Sequence, residues 1–184
     1  LGNPGPQYRL SRHNIGFLVI EELAARAKVT LARQKHRSLF ARTNIADREV
    51  ILIQPQTYMN LSGQSVSRWL KDLGIGHQDI IIICDDLDQD FGRLRFRKSG
   101  GDGGHRGLRS IIEALGNKDF LRLKLGIGRA PQGIDPQDYV LSPFEKEERE
   151  KLGGFLEQAA DGVEAFLVHG LAYAMNHFHR REGK

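Results

Sequence analysis

The sequence predicts an α/β fold: a single-domain three-layer sandwich with a central mixed, mostly parallel sheet and C-terminal helices. Three observations predict it. Segments of strand period alternate along the chain with segments of helical period, the pattern of a sheet covered by helices. Residues 79–84 form a nearly unbroken isoleucine run, which suits a strand buried on both faces. Residues 40–45 and 49–54 form a strand pair turning at Asp47-Arg48, so part of the sheet is antiparallel.

In order, the spacing of Phe17, Ile20, Leu23, Ala24 and Ala27 predicts a helix over 15–27, with Asn14 as its cap. After the strand pair, residues 60–73 read as a helix. Val66, Trp69, Leu70 and Leu73 share one face, and Gly74 is the stop. The strand over 79–84 follows, then a shorter one over 94–97, a helix over 107–115 ending at Gly116-Asn117, and a strand over 121–127. Residues 128–142 carry Pro131, Gly133 and Pro136 and read as a mobile loop. Ser142-Pro143-Phe144-Glu145 reads as a capping box with proline at the first helical position. The helix it opens runs to about Val168, with Leu152, Phe155, Leu156, Ala159, Val163, Phe166 and Leu167 as its buried stripe. A short helix over 171–178 precedes a basic tail, Arg180, Arg181 and Lys184. There is no internal repeat.

The 184 residues fit one domain, and 40% hydrophobic content is enough for a core. The longest apolar run, 80–84, is far short of a bilayer span. One cysteine, Cys84, excludes a disulfide framework and a cysteine-rich zinc site, so a reducing, cytoplasmic compartment is expected. The net charge is only +4, but it is uneven. Arg93, Arg95, Arg97, Lys98, Arg106, Arg109, Lys118, Arg122, Lys124 and Arg129 are opposed within 91–129 only by Asp102, Glu113 and Asp119. Such a segment reads either as a solvated surface or as a site for a phosphate-rich partner.

Four polar clusters fall at the ends of elements, where α/β sheets carry their sites. The first runs from Gly2-Asn3-Pro4-Gly5 through Tyr8 to Ser11-Arg12-His13-Asn14. Taken alone, His13 reads as a surface or capping residue. The second is Gln56-Thr57-Tyr58-Met59-Asn60-Leu61-Ser62-Gly63, where Asn60 and Ser62 taken alone read as helix caps. The third is Cys84-Asp85-Asp86-Leu87-Asp88. Its acids could bind a divalent cation, or one of them could orient a histidine. The fourth, residues 99–108, packs five glycines before a helix beside His105 and Arg106, a backbone-rich cradle for an anion or a substrate. No Walker A loop, GxSxG elbow or HExxH helix is present.

LGNPGPQY with SRHNIGF, QTYMNLSG, CDDLD, GGDGGHRGLRSI and RLKLGIGR, in that order, resemble bacterial-type peptidyl-tRNA hydrolase along essentially the whole chain. The resemblance implies hydrolysis of the ester between a peptide, or N-blocked amino acid, and the 3′-terminal ribose of tRNA, freeing the tRNA for translation. It implies no metal and no cofactor. It implies that His13 is the general base activating water and that Asp85 orients it. Asn3 matches the residue that discriminates a blocked from a free amino group, and Asn60 a water- and substrate-positioning amide. Tyr8, Tyr58 and Met59 match positions contacting tRNA or peptide, and Gly103 and His105 belong to the substrate-binding glycine segment.

The chemistry of these residue types agrees. Neutral histidine can take a proton from water near pH 7, and a carboxylate on the other ring nitrogen fixes its tautomer. Arg97, Lys98, Arg106, Lys124 and Arg129 are candidate contacts to the acceptor-stem phosphates and the CCA end of the peptidyl-tRNA partner. The expected organisation is one domain over 1–184, with 128–142 a mobile lid and 143–179 the C-terminal helices, acting as a monomer away from membranes. Two departures stand out. Arg106 occupies the place of a family asparagine, which makes it a candidate phosphate or ribose contact. The apolar strand that family members carry before LGNPG is absent, so a native N-terminal strand is expected to be missing from this chain. The alternative reading is a non-catalytic RNA-binding relative of the same fold.

Overall fold

The computed structural model describes residues 1–179; the basic tail, Arg180, Arg181 and Lys184, lies outside them. The helices are α1 (Ile15–Arg26), α2 (Ser62–Leu73), α3 (Arg106–Leu115), α4 (Pro136–Leu141), α5 (Lys146–His169) and α6 (Leu171–Phe178). The strands are β1 (Arg33–Lys35), β2 (Ser38–Ile45), β3 (Arg48–Pro55), β4 (Ile81–Asp86), β5 (Leu94–Arg97) and β6 (Leu121–Gly126). None of the described helices is long and apolar enough to cross a membrane.

The α/β class and the mixed pairing are as expected, but the strands are divided between two three-stranded sheets, β1-β2-β3 and β4-β6-β5. Only β4 and β6 run parallel, so the expected single, mostly parallel sheet is corrected. The first sheet is built from two tight hairpins. Ala46 and Asp47 both have positive φ, as do His36 and Arg37, the geometry that matches the right-handed twist of flanking strands. The β2–β3 turn therefore falls at Ala46-Asp47, one residue before the expected place. The strand β1 was not expected, because Arg33, Gln34 and Lys35 are all exposed and carry no apolar alternation.

The second sheet holds the core. Period-2 alternation sends Ile83, Leu123, Leu125, Leu94 and Phe96 to one face, packed with Val19 and Leu23 of α1 and Phe155 and Val163 of α5. Ile82 and Cys84 point the other way, into a cluster with Met59, Val66, Leu108 and Ile111. Burying each large side chain in these clusters contributes roughly 1.5–3 kcal/mol. On α2, Trp69 is 1% exposed and its indole N–H donates to Ser38 Oγ at 2.8 Å, tying α2 to the first sheet. Gly16 lets α1 approach β4, since a Cβ there would lie 2.4 Å from the Ile83 carbonyl oxygen.

Two further expectations are corrected. Residues 128–142 are not a loop throughout. They contain α4, whose N-terminus is capped by Asp135, accepting from the Gln137 N–H at 2.7 Å, with Pro136 at the first helical position. The capping box before α5 is Glu145 with Glu148, whose carboxylate accepts the Glu145 N–H at 2.7 Å. Ser142 instead donates back to the Tyr139 carbonyl at 2.7 Å.

Candidate active site

The C-terminal end of β4 delivers Asp85 and Asp86 to the floor of a cleft of about 470 Å3. A single turn of 3-10 helix, Arg12–Asn14, brings His13 beside Asp85, and a second, Met59–Leu61, forms the facing wall. The N-terminal end of α3 and helix α4 complete the cleft. Asn3, His13, Tyr58, Met59, Asn60, Asp85, Gly103, His105, Arg106 and Lys124 all line it, as the sequence suggested.

His13 and Asp85 meet. Asp85 Oδ1 lies 2.8 Å from His13 Nδ1 and 3.0 Å from His105 Nε2. Burial alone would raise the Asp85 carboxyl, but the two imidazoles facing it outweigh that and hold it well below the usual carboxylate range. An ionised carboxylate only accepts, so His13 Nδ1 carries its proton and Nε2 is the basic nitrogen.

His105 has a fixed tautomer as well. Its Nδ1 accepts the Gly107 and Leu108 N–H groups at 3.1 and 3.2 Å, capping α3. Nε2 must therefore carry the proton that it donates to Asp85. Burial lowers the His105 pKa, in keeping with a neutral ring. This sets aside a metal at His13, Asp85 and His105, although their ligand atoms lie within 4.8 Å of one another. A ligating histidine donates its other N–H to an acceptor, and His105 Nδ1 faces two donors. The three acids of CDDLD do not converge either. Asp86 pairs with Lys124 at 2.8 Å and accepts from Gln89 at 2.7 Å, while Asp88 faces Arg129 at 3.5 Å.

Asn3 is held from both sides. Its backbone N–H donates to Asn14 Oδ1 at 2.8 Å, and Asn14 Nδ2 returns a bond to the Asn3 carbonyl at 2.9 Å. Asn3 Oδ1 accepts the Met59 N–H at 2.7 Å, so its NH2 is the end left to donate. Asn14 therefore clamps Asn3 and does not cap α1 with its side chain, as its position had suggested. Asn60 and Ser62 do not cap α2 either: Asn60 is exposed within its turn, and Ser62 Oγ donates to the Met59 carbonyl at 2.8 Å. At Gly107 the helix passes close under Met59: a Cβ there would sit 2.5 Å from Met59 Sδ, so a side chain would displace the methionine.

The glycine segment is less open to an anion than its composition suggested. The Gly107 and Leu108 N–H groups are taken by His105, and the Gly104 N–H by Asp102 Oδ1 at 2.7 Å. Arg122, counted in the basic segment, is buried. It donates to the Gly101 carbonyl at 2.5 Å and to that of Gly100, and stacks on Phe120. It braces the segment from behind.

Tyr8, Arg97, Lys98 and Arg129 do not line the cleft. Tyr8 is half-buried in the 3-10 turn Pro6–Tyr8. Arg97 and Lys98 are exposed at the end of β5. The register sets Arg95 opposite Lys124 and Arg97 opposite Arg122, so four cations share one face of the sheet. Arg95 was not singled out from the sequence; alternation within 94–97 was the available signal. Gln137, Val140 and Leu141 also escaped notice, because α4 was read as loop. Gln137 Oε1 accepts from Arg106 Nη2 at 2.7 Å across the cleft mouth.

The peptidyl-tRNA hydrolase family model matches residues 1–184. The peptidyl-tRNA hydrolase of Syntrophotalea carbinolica is 44% identical over 182 residues, 98% of this chain and 95% of that protein. That of Rhodococcus erythropolis is 46% identical over 180 residues, 97% of this chain and 95% of that one. A crystal structure of peptidyl-tRNA hydrolase in complex with N-propanol superposes with a TM-score of 0.92 at 36% identity, covering 100% of this chain and 94% of that one. The Acinetobacter baumannii enzyme gives a TM-score of 0.90 at 37% identity, covering 97% of this chain and 91% of that one. By sequence and by structure, the chain belongs to the peptidyl-tRNA hydrolase family.

Proposed function

We propose that this chain hydrolyses the ester joining a peptide to the 3′-terminal ribose of tRNA, with His13 as general base. The observation that carries the reading is the 2.8 Å bond from His13 Nδ1–H to the ionised Asp85 at the floor of the cleft. It leaves Nε2 to take a proton from water as the water attacks the ester carbonyl. Asp85 stabilises the imidazolium that forms, and the proton then passes to the departing ribose oxygen. The Asn3 NH2, and Asn60 beside it, donate to the carbonyl oxygen as it gains charge. Tyr58, Met59 and Gly103 line the cleft, where Tyr58 and Met59 contact the peptide and Gly103 gives the substrate close access to the backbone. His105, which also lines the cleft, donates to the acid and caps α3, roles beyond the substrate contact the sequence suggested.

The acceptor stem and CCA end follow the cations that lead away from the cleft: Lys124 at its edge, then Arg95, Arg97 and Lys98. Backbone charge of this kind binds phosphate without reading sequence. Arg106, bonded to Gln137 at the mouth, binds the 3′-terminal ribose or phosphate, and α4 serves as the lid. Arg129 and Tyr8 are outlying contacts. The chain works as a cytoplasmic monomer.

The test is release of an N-acetylated amino acid from tRNA, with and without EDTA. Turnover unaffected by chelation is expected. Binding of tRNA with no turnover would instead favour the non-catalytic RNA-binding relative.

A further inference from the structure

We propose that Arg12 is a positioning residue for the hydrolysis, tying the seat of helix α4 to the turn that carries His13. The inference rests on the reading of His13 as the base. Arg12 is 2% exposed, an unusual place for a guanidinium; both of its terminal nitrogens are paired, and its Nε is buried without a partner. Its Nη1 donates to Ser142 Oγ at 2.7 Å and to the Pro143 carbonyl, and its Nη2 donates to Glu148 Oε2 at 2.6 Å. Its backbone N–H donates to the Ser142 carbonyl at 3.0 Å, and Ser11 forms a bridge with Pro143. The guanidinium carbon lies 4.3 Å from the centre of the Tyr139 ring and 5.5 Å from that of Phe144. Tyr139 is anchored in turn, its hydroxyl donating to the Ile127 carbonyl at 2.8 Å.

One side chain thus joins the end of α4, the α4–α5 turn and the first turn of α5. The other side of α4 supplies Pro136, Gln137, Val140 and Leu141 to the cleft wall. The residue after Arg12 is His13, in the same 3-10 turn. A planar fork with five donors fixes direction as well as charge, which a lysine ammonium does not. Losing the fork releases two things together: the α4 wall against the substrate, and the outer anchor of the turn that aims His13 at Asp85. Misplacing a reacting group by about 1 Å costs on the order of 10²-fold in rate.

The experiment compares kcat and KM for release of an N-acetylated amino acid from tRNA by wild type, Arg12→Lys, Arg12→Ala, Glu148→Ala, His13→Ala and the core control Leu152→Ala, well below every melting temperature. Arg12→Lys is expected to lower kcat about 10- to 100-fold and raise KM about threefold. Added guanidinium at a sub-denaturing concentration is expected to restore part of the kcat of Arg12→Ala. Leu152→Ala is expected to lose stability, keep wild-type kcat and show no rescue. A folded Arg12→Lys with kcat within twofold of wild type overturns the proposal. If the Arg12 variants do not fold, Glu148→Ala decides. It leaves the guanidinium half-tethered and is expected to lower kcat about fivefold; an unchanged kcat overturns the proposal. Turnover retained in His13→Ala overturns the general-base reading and the proposal with it. Loss there with wild-type kinetics in Arg12→Lys overturns only the role of Arg12.

Discussion

The floor and the rim of the cleft are both polar and differ in how their side chains are held. On the floor, Asp85 is 3% exposed and accepts from two histidines: its carboxylate fixes the His13 proton on Nδ1, and the Gly107 and Leu108 N–H groups fix the His105 proton on Nε2. Asn3 is locked by Asn14 and Met59. At the rim, Arg106–Gln137 is an exposed pair, and Asp88 and Asp102 are paired with Arg129 and Arg109 outside the cleft; each pair is worth little and exchangeable for a ligand. Floor groups are aimed before substrate arrives, so changes there cost rate. Rim groups trade partners when it binds, so changes there cost affinity.

The largest expected effect comes from Asp85→Asn, which removes the carboxylate charge that stabilises the His13 imidazolium and offers an amide donor that no longer fixes the His13 tautomer. A fall in kcat of about 10³-fold with KM nearly unchanged is expected in steady-state hydrolysis. Next, Asn3→Asp keeps an acceptor for the Met59 N–H but loses the donor, and is expected to lower kcat about 10²-fold. A rise in KM alone would move Asn3 from floor to rim.

Rim changes are smaller and of another kind. Arg97→Gln with Lys124→Gln is expected to raise KM, leave kcat within about twofold, and reduce the slope of log affinity against log salt by about 1.5. Arg106→Asn is expected to raise KM only about threefold. A collapse of kcat there would place Arg106 with the floor.

The smallest effect is on stability. His105 has a folded pKa below its ordinary value of 6.5, so the folded state favours its neutral form. Its contribution is fully present above pH 6.5 and is lost as pH falls through the depressed folded value. His105→Asn, which can still cap α3, is expected to flatten the loss of denaturant stability below pH 6.5. An unchanged pH dependence would count against a neutral His105.

Much of the fold was legible because local rules decided it. Residues 94–97 and 171–178 were bounded as observed, Gly74 stopped α2 with φ near 64°, and the isoleucine run is strand β4 of the second sheet, with Ile83 buried on one face and Ile82 on the other. The failures arise where partners distant in sequence decide. The division into two sheets depends on register between strands, and no single segment encodes it. Helix α4 hid in a glycine- and proline-rich stretch, although Asp135-Pro136 is a helix start in its own right. Ser142-Pro143 looked like a cap, yet both residues are held by Arg12 from 130 positions away. At the site, motif order pointed to His13, Asp85 and Asn3, which lie together in one cleft. Charge alone misread Arg122, because its burial under the glycine segment depends on the carbonyls of Gly100 and Gly101. The capping role of His105 was not legible, because a histidine acting as a helix cap leaves no pattern in the sequence.

The claim at the centre is that His13 and Asp85 act as one unit, and a double-mutant cycle on kcat tests it most directly. Single-turnover rates would be measured for wild type, His13→Ala, Asp85→Asn and the double variant, on N-acetylated aminoacyl-tRNA at saturating enzyme. The predicted result is a double variant about as slow as His13→Ala alone, since Asp85 has nothing left to orient once the imidazole is gone. Losses that multiply would show the two residues acting independently and would contradict the account.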